Sequence, residues 1–248
     1  MQPTTEKDYI FGIRAIIEAI SSDIEIDKLF LARKSESSIS VELINLAKEY
    51  EIPTKYVPVE KLNRITRKNH QGAIAFISSI SYFPIEELIN SCYESGKDPL
   101  FIILDQVSDV RNFGAVARSA ECMGFNGIII PFKGAAKINA DAVKTSAGAL
   151  LKIPVSRVKS LANTIKYLKD SGVKIFSVTE KAEVSCYDTE LSRPLALLLG
   201  SEDIGISEKL IHLSDEKIKI PMYGETESLN VSVAASILMY EVNRQRKL

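Results

Sequence analysis

The chain has 248 residues, 46% of them hydrophobic and 25% charged, and a net charge of −1. That length accommodates one large domain or two modest ones with real cores, and near-neutrality leaves only local basic patches to meet nucleic acid. Cys92, Cys122 and Cys186 are odd in number and far apart, without a CxxC pair, which argues against a disulfide framework or zinc site and suits a reducing cytosol; the opening MQPTTEKDY has no apolar signal core, and no apolar run approaches membrane-spanning length.

In chain order, residues 9–20 place apolar side chains at helical spacing after a short extended lead. Residues 26–32 alternate as a strand, 41–50 are helical, 52–57 strand-like and 73–77 β-rich. These make a small mixed α/β unit ending near Ser79, with eleven Lys and Arg against eleven Asp and Glu over residues 1–80. The charge is uneven: Lys55, Lys61, Arg64, Arg67 and Lys68 fall within fourteen residues, opposed only by Glu60. Such a cluster meets phosphates in some proteins and is a solvated helix face in others. Residues 84–96 read as an amphipathic helix closed by Gly96, joining this unit to the next.

From Pro99 onward strands alternate with helices. Residues 100–104 are a wholly apolar strand of the kind buried in a parallel sheet. Further strands are expected at 127–131, 173–178, 195–199 and 217–220, and helices at 112–123, 141–150, 161–170 and 231–246. The pattern predicts an α/β fold with a mostly parallel sheet covered on both faces. The expected domains are therefore residues 1–80, a linker helix over 81–98, and a second domain over 99–248.

Several chemistries are excluded by their missing motifs. No GxGxxG follows the first strand of the second domain; GxxxxGK[ST], HExxH and GxSxG are absent. His70 and His212 alone do not support a histidine-based metal site, so no metal is expected. Three polar loops remain: DVRNFGAVAR at 109–118, GSEDIG at 200–205 and IPMYGETESLNVSVAA at 220–235. The last two share one form, strand then glycine-bearing polar loop then helix, and such loops form pockets at the carboxyl ends of strands. Taken singly, Asn112 reads equally as a helix cap, Arg118 as a surface ion pair, and Glu202 as a first-turn carboxylate. Gly114 and Ala115 keep their turn slim enough for another chain or a ligand to approach.

Together the loops resemble the three motifs of the SpoU/TrmH family of knotted SPOUT methyltransferases, which modify the ribose 2′-hydroxyl of RNA. The first is Asn112, Gly114, Ala115 and Arg118; the second Gly200, Glu202 and Gly205; the third Ile220, Pro221, Met222, Ser228, Leu229, Asn230, Val231, Ser232 and Ala234. FGIRAIIEAI and HQGAIA in the first 80 residues resemble the family's RNA-binding extension of ribosomal-protein L30e type. Val110 stands where proline is usual, and Asp203 where glycine is common.

The resemblance implies a deep trefoil knot in the C-terminal domain and a homodimer with the last helix, through Ala234, Ala235 and Leu238, in its interface. It implies S-adenosylmethionine as cofactor, held by Thr179, Leu198, Gly200, Gly205, Ile220, Met222 and Leu229. It implies catalytic roles for Arg118, Asn112, Glu202, Ser228 and Asn230, with Arg118 acting as base or as stabiliser of the developing oxyanion. The expected substrate is structured RNA, 23S ribosomal RNA first, with transfer RNA or a non-catalytic RNA-binding member as alternatives. The expected location is the cytoplasm, with no membrane association. Arg111 in the first loop is a second candidate for gripping RNA.

Overall fold

The computed structural model describes residues 9–22, 24–33, 38–136, 138–226 and 228–246. The chain divides into two compact units, one formed by residues 1–81 with 137–140 and the other by residues 82–136 with 141–248.

The first unit has the elements β1 (Tyr9–Phe11), α1 (Ile13–Ser21), β2 (Ile26–Ala32), α2 (Ser38–Glu49), β3 (Thr54–Val57), α3 (Val59–Ile65) and β4 (Ala73–Ile77). The four strands form a mixed sheet in the order β1-β4-β2-β3, with β2 and β3 parallel and the other pairs antiparallel. Strand alternation splits its side chains between two cores. Leu29, Leu31, Ala73 and Ala75 pack with α1 and α2 residues such as Ile16 and Leu43, while Phe30, Val57 and Ile74 pack with Leu62 of α3. The sequence places helical spacing over residues 9–20 after a short extended lead, and in the structure the extended part is Tyr9–Phe11 and the helix begins at Ile13. Tyr9–Phe11 pairs with β4, and Gly12, at φ +91°, turns the chain into α1.

The second unit contains α4 (Ile85–Glu94), β5 (Leu100–Asp105), α5 (Val110–Cys122), β6 (Gly127–Pro131), α6 (Ala140–Thr145), β7 (Val155–Val158), α7 (Leu161–Asp170), β8 (Lys174–Val178), β9 (Val184–Ser185), β10 (Leu195–Gly200), α8 (Glu208–Leu213), β11 (Glu216–Lys219) and α9 (Val231–Arg246). Its sheet runs β7-β6-β5-β10-β8-β11-β9, and every pairing of these strands is parallel. β5 as far as Leu104 and β10 as far as Leu199 are apolar because both their faces are covered. On one face Phe101, Ile103, Ala196 and Leu198 meet α4, α7 and α8. The alternate residues Ile102, Leu104, Leu197 and Leu199 are buried on the other, where α5 packs against α9.

Chain order reverses between β5 and β10. The chain moves from β5 outward to β6 and β7, then returns to build β8, β10 and β11 on the other side. This is the switch point at which α/β sheets open a crevice at the strand carboxyl ends. Register places Gly200 opposite Asp105, so the loops after β5 and β10 start side by side.

α9 is anchored at its C-terminal end. Glu241, with a side chain 7% exposed, accepts two hydrogen bonds from Arg244, both of 2.8 Å, and one of 2.7 Å from Gln245. Gln245 in turn accepts from the Leu191 N–H at 2.8 Å and donates to the Thr189 carbonyl at 3.0 Å. Ala235 and Leu238, expected at an interface between subunits, are instead fully buried inside this unit, because that side of α9 rests on the unit's own core. The exposed apolar side chains of α9 are Val233, Ile237 and Tyr240.

Hydrogen bonding from Arg244 holds the Glu241 carboxyl below its ordinary value of 4.5, burial opposing it only in part. A carboxylate depressed in the folded state stabilises above its ordinary pKa and loses that contribution as pH falls through the folded value. Glu241→Gln should therefore lower stability at pH 7 by about 1–2 kcal/mol. Denaturant titrations should show the deficit narrowing as the pH falls below 4.5.

Candidate functional site

The loop after β10 is built around two glycines. Gly205 sits at φ +72° and its N–H donates to the Ser201 carbonyl at 2.8 Å, closing the loop on itself. A Cβ on Gly200 would lie 2.0 Å from the Gly205 carbonyl carbon and 2.3 Å from the Ile206 nitrogen, so only glycine lets these backbones cross. The buried Asp105 carboxylate, at the end of β5, accepts the Ser207 N–H at 2.9 Å and fixes where the loop rejoins α8.

The loop after β5 starts α5 under the Asp109 cap, whose side chain accepts from the N–H groups of Arg111 and Asn112. Asn112 is therefore not the cap expected from the sequence. It lies inside the first turn, with its amide free to reach outward. Val110 occupies the first helical position, which proline favours but does not require. Gly114 does stand at a close approach, but to this chain's own Thr145, whose Cβ would lie 2.8 Å from an added Cβ.

Asn230 begins α9 as its cap, accepting the Ser232 N–H at 2.9 Å. Its Nδ2 donates both to Glu202 Oε1 and, at 3.0 Å, to Asn112 Oδ1. Asn112 Nδ2 donates to the same Glu202 oxygen at 3.0 Å. Three residues from three loops thus form one closed ring of hydrogen bonds, and Glu202 lies in an open loop rather than in a helix first turn.

Beside this ring, at the carboxyl ends of β8, β10 and β11, is a cavity of about 350 Å³. Of the residues expected to hold a cofactor, Thr179, Gly200, Gly205, Ile220, Met222 and Leu229 line it. Leu198 does not: strand alternation turns it into the core beneath, and Leu199 faces the cavity in its place. Glu202 and Ser228 line it as well. Sequence reasoning missed Glu180, Lys181, Asp203 and the apolar Val178, Ile206 and Val231 among the lining residues. For Glu180, Lys181 and Asp203 the available signal is their position just after β8 or within the Gly200–Gly205 loop. Ala234 also borders the cavity, which is why it faces inward on α9.

Arg118 stands apart. It is exposed on α5, does not line the cavity, and has no hydrogen-bond or ion-pair partner among the described residues. In the first unit Lys55, Lys61, Arg64, Arg67 and Lys68 are all exposed, and none is ion-paired among the described residues. The Lys61 and Lys68 ammonium groups lie over the rings of Phe30 and Phe11, at 5.3 and 5.8 Å. His70 is buried, with Nδ1 accepting the Gly72 N–H and Nε2 at 2.9 Å from Asn63 Oδ1, so its ring is held within the first unit. Among the described residues no His, Cys, Asp and Glu cluster could hold a metal, and no helix is long and apolar enough to cross a membrane.

Residues 99–240 match the model of the SpoU rRNA Methylase family, and residues 9–83 the model described as RNA 2′-O ribose methyltransferase substrate binding. The chain belongs to the SpoU family of RNA methyltransferases. It is 36% identical over 241 residues to a Bacillus subtilis protein assigned to the TrmH family of tRNA/rRNA methyltransferases, covering 97% of each chain. A Mycobacterium leprae protein named as a tRNA/rRNA methyltransferase is 32% identical, over 99% of this chain and 80% of its own. The fold is shared with the SpoU methyltransferase AviRb of Streptomyces viridochromogenes, solved with S-adenosylmethionine: TM-score 0.62, 23% identity, 96% of this chain and 90% of that one. It is shared too with the TrmH/SpoU tRNA-modifying enzyme of A. aeolicus: TM-score 0.56, 28% identity, 66% of this chain and 84% of that one.

The backbone crossing at Gly200 is the tightest constraint on the cavity. Gly200→Ala should cost about 2 kcal/mol or more in chemical denaturation, as overpacked sites do, and should weaken binding of any ligand in the cavity.

Proposed function

We propose that this protein methylates a ribose 2′-hydroxyl in structured RNA, using S-adenosylmethionine bound in the cavity beside Glu202, and that its substrate is 23S ribosomal RNA. The observation that carries the reading is the ring of Asn112, Glu202 and Asn230, which joins the three family motifs at the mouth of one pocket. The relatives' names, which speak of both tRNA and rRNA, support RNA as the substrate class, and the match of residues 9–83 supports a ribose oxygen as acceptor.

The pocket fits such a cofactor on this chain's own terms. Its volume suits a nucleoside-sized ligand, its walls at Val178, Leu199, Ile220 and Leu229 are apolar, and the Gly200 backbone is unshielded by any side chain. Bound there, S-adenosylmethionine would supply a methyl group already activated by its sulfonium. What remains for the protein is positioning and charge. Glu202 Oε1 is taken by two amide donors, so Oε2 is left to accept from a ribose hydroxyl. Ser228, on the cavity wall, can donate to or accept from the same ribose. Arg118 carries a guanidinium unpaired among the described residues, on α5, the helix whose first turn holds Asn112, and it is available to stabilise a developing alkoxide or an adjacent phosphate. Its high pKa favours that role over proton abstraction.

The same reading includes a homodimer, a trefoil knot in the C-terminal unit and a cytoplasmic location. Exposed Val233, Ile237 and Tyr240, at helical spacing along α9, support the dimer. Ser119 of α5 bonds Ser236 of α9 at 2.7 Å, so Arg118 lies one residue from the contact that ties α5 to this helix. The exposed Lys55–Lys68 cluster supports phosphate contacts by the first unit.

Mapping 2′-O-methyl positions in total RNA from cells with and without the gene tests the reading. One ribosomal position should lose its methyl group in the deletion. A loss confined to transfer RNA would move the substrate, and no loss would contradict the activity. Arg118→Ala should fold, bind S-adenosylmethionine normally and fail to restore the methyl group.

A further inference from the structure

Four charged side chains line the cavity: Glu180 and Lys181 just after β8, and Glu202 and Asp203 in the loop after β10. Three carboxylates therefore face one ammonium. Glu202 is committed to Asn112 and Asn230, but Glu180 and Asp203 form no ion pair among the described residues. Asp203 is also the residue by which this loop departs from the usual glycine. Beneath these charges the wall is apolar, at Val178, Leu199 and Ile206. Low-dielectric walls concentrate the field of charges placed at their rim.

We propose that Glu180 and Asp203 give the cavity a negative potential that selects the sulfonium cofactor over its thioether product. The inference rests on the methyltransferase reading above. At neutral pH S-adenosylmethionine carries a sulfonium, an ammonium and a carboxylate, net +1. In transfer, the acceptor oxygen forms the new C–O bond with a lone pair and gives its proton to solvent. The C–S bond pair stays on sulfur, so S-adenosylhomocysteine is left with net charge 0. The two ligands share their adenine, ribose and amino-acid contacts, and they differ by one methyl group and one positive charge. A pocket of apolar walls and backbone contacts would hold the product almost as well as the substrate. Uncompensated carboxylates at the rim weaken the product's hold at the moment the charge is lost.

Two exposed carboxylates at the cavity rim, screened by water and salt, supply a discrimination of about 3- to 10-fold. Calorimetric titration of the full-length protein with S-adenosylmethionine and, separately, with S-adenosylhomocysteine measures it. In the double variant Glu180→Gln, Asp203→Asn the S-adenosylmethionine Kd should rise about 3- to 10-fold, while the S-adenosylhomocysteine Kd moves by less than about twofold. Asp203→Gly, which removes the charge without adding an amide, should reproduce the aspartate's share. The parent's preference for the sulfonium should also fall as salt is raised. Parallel weakening of both ligands, or no change in either, would overturn the inference, because the carboxylates would then only shape the loop or contact shared atoms. If the parent protein binds neither ligand, the cofactor reading itself fails, and that result is distinct from the parallel-weakening one.

Discussion

One carboxylate oxygen holds the site together. Glu202 Oε1 receives amide donors from Asn112, at the start of α5, and from Asn230, at the start of α9, and those two amides bond each other. The charge makes these bonds stronger than neutral ones. They join segments that are 90, 28 and 118 residues apart in sequence. Without the ring, three polar loops would each face solvent on their own. With it, the cavity wall and the start of two helices have one shared reference point.

The sheet makes that ring possible. Reversal of strand order between β5 and β10 sets the first two loops next to each other, and Asp105 ties them again through the Ser207 N–H. The Gly200–Gly205 crossing keeps the second loop narrow enough for Glu202 to stand at the cavity rim. Burial on both faces of β5 and β10 provides the rigidity on which such a site relies. The anchoring of Glu241, Arg244 and Gln245 does the same for the far end of α9.

Much of this was legible in the sequence. The wholly apolar strands at 100–104 and 195–199 read correctly because a parallel, doubly covered sheet leaves that signature. The helix expected over residues 231–246 coincides with α9. Other elements were obscured for physical reasons. α3 reads only as a basic stretch, because Lys61 and Arg64 flank its few buried contacts, chiefly Leu62. β7, with the sequence VSRV, and the six-residue α8 were too short or too polar for periodicity. Leu198 was one residue out of phase, and in a strand that exchanges core for cavity. α9 is apolar on more than one side, so its sequence could not say that Ala235 and Leu238 face inward while Val233, Ile237 and Tyr240 face out. The motifs brought Asn112, Glu202 and Asn230 to notice, but their mutual bonding depends on sheet topology, and the Asp109 cap that frees Asn112 was not foreseen.

The central claim is that the three loops act as one unit through Glu202. A double-mutant cycle with Asn112→Ala and Asn230→Ala, read by S-adenosylmethionine affinity and by unfolding free energy, tests it most directly. If the ring is the common anchor, the first substitution should remove most of what the second would, leaving a coupling energy of about 1–3 kcal/mol. Effects that add to within about 0.5 kcal/mol would mean that the loops are held independently and that the ring is incidental.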